Sequence, residues 1–505
     1  MAAAYEYWGD KCFEKFHGMW SIIIYDLENF EFTISRDRYG VKPLYYLQIS
    51  DEKIIFGSEI KQLLPYLNKR KVNKKLIYDY LLNDLQNHTD ESFFQNIFQV
   101  SKGGLIKIDK NLKINFNNWY EFPKKINDVS KKELKKKLFK SVLMRLRSDT
   151  RIGISLSGGI DSTSIASIVA KIKKKDYKKI FTFSTITEDE NDESEYIDEF
   201  TKKYNFKNIK IKLKFTDFKK QIKKIIKIHD EPIPNLTIFS EWQIFNKMKE
   251  FNIRVNLDGH SADEIFCGYE NYFSLKLKNL FYNLNFFQII IFFIDLFFNK
   301  DLKNKKIYTI KILSNLINIK KIKSLFTNSF NESWLYNNKK SSFRKKLFFK
   351  DNILNENFNQ FFYTSLPKQL RWADLNSMAH SVETRSPFID HQIVETFLTG
   401  KSDLKIKKNV SKYILRESLK NLLPEKVFKR KFKVGFAAPE EIWLNKNRDY
   451  IKKLFITSFE YCKKFIKSSC KKEALKIIEG KNKYNPWIWK IIFLGLWIKN
   501  YELEK

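Results

Sequence analysis

Between residues 18 and 60 the apolar positions come in short runs, GMWSIIIYD, EFTISRDRYG, LYYLQIS and KIIFGSE, separated by Asp, Asn and Gly. Runs of that length between turn residues predict strands of a β-rich layer. A loop-rich stretch follows, around 68–125. The spacing then becomes helical in ELKKKLFKSVLMRLRSD. From there the two periods alternate. RIGISLS, KIFTFST and IRVNLDG read as strands, and STSIASIVAKI reads as a helix. Such alternation predicts an α/β domain with a parallel sheet covered by helices. The last 140 or so residues read as mostly helical, with breaks at Pro367, Pro387, Pro424 and Pro439. In a parallel sheet, ligands bind beyond the carboxyl ends of the strands. The turns after RIGISLS and IRVNLDG are therefore the places to look for chemistry.

Composition narrows the picture. A chain of 505 residues, 43% apolar, can build two or three domains with real cores. The formal net charge of +35 suggests nucleic acid at first sight. Lysine dominates the basic residues, however, and it is spread along the whole chain with Asn, Ile and Phe. Base and bidentate phosphate readout prefers arginine. A nucleic-acid partner is not expected, and KKELKKK and KIKKKDYKK read as solvated helix faces and connectors. Cys12, Cys267, Cys462 and Cys470 form no CxxC pair and no regular spacing. That excludes a zinc frame or disulfide scaffold and fits a reducing cytoplasm. The run NLFYNLNFFQIIIFFIDLFF, 279–298, is broken by Asn and Gln and closed by Asp295. It is too interrupted for a membrane span and reads as a buried or partner-facing helix.

The strongest chemical signal is RIGISLSGGIDSTSIASIVAKI, 151–172. Between a strand and a helix lies Ser157-Gly158-Gly159-Ile160-Asp161-Ser162. Two glycines let the backbone turn tightly and bring N–H groups near an anion. The helix that follows points its positive end at the same place. Ser157 and Ser162 add hydroxyls. Asp161 would repel a phosphate unless it held Mg²⁺. No Walker loop occurs.

These residues resemble the SGGxDS pyrophosphate loop of ATP pyrophosphatases, enzymes that cleave ATP between its α and β phosphates. HDEPIPN (229–235), LDGHSADEIFCGY (257–269), SMAHSVETRSPFIDH (377–391) and KFKVGFAAP (431–439) follow in order. Together with the loop they resemble the synthetase half of the glutamine-hydrolysing asparagine synthase family. The resemblance covers about 130 to 445. It implies an adenine nucleotide hydrolase-like parallel sheet with a helical C-terminal part, and 274–360 as a family-variable helical insert. The implied reaction is activation of a carboxylic acid acceptor by ATP as an acyl-AMP, followed by attack of ammonia. Asparagine from aspartate is the implied product. Carried over position by position, Asp161 and Asp263 would hold Mg²⁺. Leu156, Thr185, Asp258 and Gly259 would contact adenosine, and Ser157 to Ser162 would hold the pyrophosphate. Lys433 would offset developing charge. Glu383, with Arg385 nearby, would lie on the acceptor side. A homodimer is an assembly the resemblance leaves open.

The front, 1–122, resembles part of the same family's glutaminase, an N-terminal-nucleophile fold, through YEYWGDKCFEKFHGMWSIIIYD, SRDRYGVKPLYY and FGSEIKQLL. That chemistry needs a terminal cysteine whose free amine acts as base. The sequence starts Met-Ala-Ala-Ala, and Cys12 is internal. The expectation is a partial glutaminase domain that does not hydrolyse glutamine, with open strand edges and apolar faces. The synthetase domain is expected over 130–505.

The turn Asp258-Gly259-His260-Ser261 departs from the resemblance. Asparagine synthases proper carry a glutamate where His260 stands, and β-lactam-forming relatives carry a tyrosine. His260 is expected either to face Glu383 and handle the proton of the incoming amine, or simply to fill the turn. Either way the acceptor is open, and a sugar acid such as a uronic acid is the alternative to aspartate. An inactive binding remnant is the other alternative.

Overall fold

The computed structural model describes residues 1–50, 53–173, 180–189, 192–297, 330–336, 343–407, 409–430 and 438–503. Lys433 lies outside the described residues. Three sheets account for the strands among them.

Two of the sheets lie in the front. One is antiparallel, in the order β1 (Ser21–Asp26), β2 (Glu31–Arg36), β6 (Gly104–Ile108), β7 (Ile114–Asn118). The other has β3 (Tyr45–Ser50) between β4 (Lys53–Gly57) and β5 (Phe98–Gln99). Ile34, Ile106 and Ile108 of the first pack with Tyr46, Ile54 and Phe56 of the second. Alternation puts these residues on one face and seals them from water. The seal stops at β1, which among the described residues pairs only with β2. Ile23 is 47% exposed and Tyr25 45%.

The loop after β2 ties the front to the back. Asp37 is fully buried and accepts backbone N–H bonds from Trp20, Tyr39, Val41 and Lys42. Burial pushes its carboxyl up, against those N–H groups and Arg36. The same loop sends Lys42 to Asp374 at 2.8 Å. A large aromatic core continues the join. Tyr80, Phe93 and Phe94 from the front lie in one cluster with Trp489 and Trp497 of the helix Trp487–Asn500.

The third sheet is wholly parallel, in the order β10-β9-β8-β11-β12. Its strands are β8 (Ile152–Ser155), β9 (Phe181–Ile186), β10 (Asn208–Lys212), β11 (Val255–Leu257) and β12 (Glu383–Arg385). β8 is buried along its whole length, as a central parallel strand should be. The chain runs outward from β8 through β9 to β10, then crosses back to β11 and β12. The order thus reverses between β8 and β11, the switch point at which such sheets bind ligands.

The back half reads differently from its sequence in two places. SVETR, placed in a helical region, forms β12. Its pairing with β11 outweighs the helical neighbourhood. The prolines open helices rather than break them. Pro367 sits in the first turn of Leu366–Met378, and Pro424 and Pro439 precede Glu425–Lys429 and Glu440–Lys446. Proline has no N–H to lose there. The greasy run is divided between two helices, Asn271–Tyr282 and Phe286–Phe297. No helix among the described residues is long and apolar enough to cross a membrane.

Candidate active site

The turns after β8 and β11 meet at the switch point and line one cleft of about 410 Å³. The helix Ile160–Lys173 begins inside it. Ser162 ties the loop together: its hydroxyl accepts from the Ser157 N–H at 3.1 Å, donates to the Gly159 carbonyl at 3.3 Å, and lies 3.1 Å from the Ser157 hydroxyl. Gly158 makes the turn at φ +75°, a conformation side chains disfavour. Gly259 is needed for a different reason. A Cβ there would come within 2.8 Å of the Asp161 Cβ and 3.0 Å of the Ser162 nitrogen. The two turns touch only because residue 259 has no side chain.

Ser157, Gly159, Asp161, Ser162, Asp258, Gly259, His260 and Asp263 all line the cleft. Leu156 and Thr185 do not. Leu156 is buried; its N–H donates to the Phe183 carbonyl and its carbonyl accepts from the Ser184 hydroxyl. Thr185 lies on β9, opposite Ile211 of β10.

Lys412, which nothing in the sequence marked, sits at the centre. Its Nζ lies 2.5 Å from Asp161 and 2.6 Å from Asp263, and the residue is only 2% exposed. It stands just before the helix Tyr413–Leu419 at φ +55°. One more lysine in a chain with 93 lysines and arginines carries no signal of its own. Arg416, one turn on, also lines the cleft, and burial lowers its guanidinium to about 10. Glu264 is buried beside Asp263 and accepts bonds from Tyr269 (2.5 Å), Ser365 (2.7 Å) and Gln369 (2.9 Å). Burial and then Asp263 push its carboxyl up.

His260 does not face Glu383. Its Nδ1 lies 2.8 Å from Asp258 Oδ2, and its Nε2 lies 3.8 Å from Glu241 Oε1. Burial alone would lower its pKa. Asp258, Glu241 and Glu264 outweigh that and hold it at about 9. At neutral pH the ring is therefore a cation, a donor and not a base. Asp258 is kept ionised in turn: burial opposes it, but His260 and the hydroxyls of Ser386 and Thr384 more than compensate. Glu241, on the helix Thr237–Glu250, was missed in the sequence. A lone carboxylate among Ile238, Phe239, Trp242, Ile244 and Phe245 is a signal that could have found it.

Glu383 starts β12 and turns to Arg385, whose Nε donates to it at 2.6 Å. Arg385 also donates to the carbonyls of Arg145 and Arg147. Glu383 lines a separate cavity of about 310 Å³ together with His17 and Arg38 from the front. Strand geometry explains the separation: Thr384 points to Asp258, so its neighbour Glu383 points to the other face. Cys12 is fully buried, and burial followed by Asp10 raises its thiol. It is not an activated nucleophile.

Two carboxylates around one ammonium make a hard, oxygen-rich position suited to a divalent cation that brings its own phosphate ligands. Among the described residues no group of three or more His, Cys, Asp or Glu gathers to hold a metal unaided.

The family profile described as asparagine synthase matches residues 133–499, and that of the glutamine amidotransferase domain matches 1–120. Among curated proteins the chain is similar to asparagine synthetase [glutamine-hydrolyzing] 1 of Bacillus subtilis (strain 168), at 25% identity over all of this chain and 81% of the relative. It is similar to the putative asparagine synthetase [glutamine-hydrolyzing] 2 of Methanocaldococcus jannaschii at 32% identity, over 52% of this chain and 51% of the relative. It is also similar to amidase chry2 of Gibberella zeae, at 21% identity over 87% of this chain and 72% of the relative.

Proposed function

This chain belongs to the asparagine synthase family of ATP-dependent ligases, and on that premise we propose that its cleft makes an amide through an acyl-adenylate. A carboxylate oxygen of the acceptor attacks the α-phosphorus of ATP, and the bond to pyrophosphate breaks. Ammonia then attacks the acyl carbon, gives up a proton, and AMP leaves. Residues 1–122 form the glutaminase-type domain and 130–505 an ATP-pyrophosphatase-type domain, with 274–360 as a variable insert. Four buried thiols fit a reducing cytoplasm.

The observation that carries the reading is the meeting of the SGGIDS loop and the LDGH turn at the switch point, with Lys412 between Asp161 and Asp263. The loop N–H groups and Ser157 and Ser162 hold the departing pyrophosphate. Asp161 and Asp263 would hold Mg²⁺, which would offset phosphate charge. Lys412 supplies a fixed positive charge beside them, and Lys433 is the further cation proposed for the developing charge. Leu156, Thr185, Asp258 and Gly259 are proposed around the adenosine. Glu383, the carboxylate the resemblance sets on the acceptor side, lines the neighbouring cavity with Arg385 rather than the cleft, so its acceptor role is proposed from the resemblance alone.

Aspartate is the first acceptor proposed. A uronic acid is the second, on one observation: His260, where the family's asparagine synthases carry a glutamate, lines the cleft between Asp258 and Glu241. Pyrophosphate release with MgATP, ammonium and single candidate acids tests both. Release with aspartate alone supports asparagine synthesis, and release with a uronate alone sinks it. Binding of ATP with no release for any acid would favour the inactive remnant.

A further inference from the structure

A second cavity, of about 650 Å³, opens between the front and the back and shares no lining residue with the catalytic cleft. The loop 36–43 and Gln99–Lys102 form one wall, and Phe358, Phe362 and Tyr363 the other. Its charge is one-sided. Arg36, Arg38, Lys102, Lys124, Lys346 and Arg371 line it, against Asp90 and Glu121. Of those six cations only Arg371 has a carboxylate within ion-pair distance among the described residues, Glu231 at 3.2 Å. Arg36 donates to the carbonyls of Lys42, Val100 and Gly40, and Arg38 to those of Phe16 and Glu14.

Of the three lysines, Lys124 lies 4.8 Å from the Phe348 ring centre, and the other two face one ring. Lys102 Nζ donates to the Phe362 carbonyl and lies 4.8 Å from the Tyr363 ring centre. Lys346 Nζ donates to the Tyr363 hydroxyl at 2.9 Å and lies 4.6 Å from the same ring. Aromatic faces stabilise a cation but do not neutralise it. Burial, opposed by Asp90 and reinforced by Arg36 and Lys346, pushes Lys102 down to about 8. An anion between the two ammonium groups would relieve that repulsion. The remaining wall is aromatic: Tyr39 and Phe122 both pack against Phe362.

We propose that this cavity is a second binding site, for a phosphorylated aromatic ligand of nucleotide size, with its phosphate between Lys102 and Lys346 and its flat ring on the Tyr39–Phe362 wall. The volume falls within the roughly 300–1,000 Å³ range of small-molecule sites. Charge-assisted bonds from two lysines supply affinity for phosphate, and the rings select an aromatic body. The proposal is independent of the acceptor chemistry in the cleft.

Equilibrium dialysis of the full chain with labelled AMP, and separately with inorganic phosphate, tests it. Two AMP per chain are expected, one in each cavity. Lys346→Glu, at an exposed position, should weaken one of the two by roughly tenfold or more. It should leave pyrophosphate release at saturating ATP unchanged. Lys102→Met should weaken the same one, and Gly259→Val should remove only the other. A single AMP per chain in the unaltered protein would overturn the proposal. So would two AMP in both lysine variants, or inorganic phosphate binding as tightly as AMP at the second site.

Discussion

The catalytic cleft and the second cavity each hold a lysine, and they treat it in opposite ways. In the cleft, Lys412 lies between Asp161 and Asp263, so two negative charges surround one positive. In the cavity beneath the front, Lys102 meets a carbonyl oxygen, two aromatic rings and other cations. The first arrangement can accept a phosphate only together with a further cation. The second is short of negative charge and can accept an anion directly. The contrast separates the cleft proposed for metal-assisted phosphate chemistry from the cavity proposed only to bind.

The largest effect expected from breaking this contrast is on catalysis. Asp161→Asn or Asp263→Asn should lower pyrophosphate release by about 10²–10³-fold or more, the usual loss when charge stabilisation of a transition state is removed. Lys102→Met should leave the rate within about twofold, since it lies outside the reacting centre. A coupled pyrophosphate assay reads both.

Next comes stability. Lys412→Met leaves two buried carboxylates without their shared partner, a loss of about 3–5 kcal/mol. Urea unfolding should show it without Mg²⁺, and saturating Mg²⁺ should restore much of it. A variant as stable as the parent in both conditions would erase the distinction between the cavities.

A smaller effect sharpens the role of His260. Its folded pKa of about 9 lies above the roughly 6.5 of an unfolded histidine. The stabilisation is therefore complete below about pH 6.5 and is lost as pH rises through 9. His260→Gln should remove this part of the pH dependence, as followed by urea midpoints between pH 6 and 10. The smallest effect is expected in the front: Cys12→Ser should leave ammonia-dependent activity within about twofold, because its buried thiol touches no substrate.

The SGGIDS turn was legible because it is six consecutive residues flanked by a strand and a helix. The strands of the front and the β8 and β11 turns were legible from period and turn residues. β12 was not, because a three-residue strand owes its existence to β11 beside it and leaves too short a pattern to read. Lys412 was missed for a similar reason. Some 250 residues separate it from Asp161, and only the closed fold brings them together. The partner expected for His260 was wrong because Glu383 and Thr384 point to opposite faces of β12, which sequence order alone does not reveal.

The cleft is proposed to form an amide while releasing pyrophosphate and AMP. The most direct measurement is the stoichiometry of nucleotide products in the full chain given MgATP, ammonium and a carboxylic acid that supports turnover. One AMP and one pyrophosphate per amide formed is the predicted result. Formation of ADP and orthophosphate with the amide would contradict it.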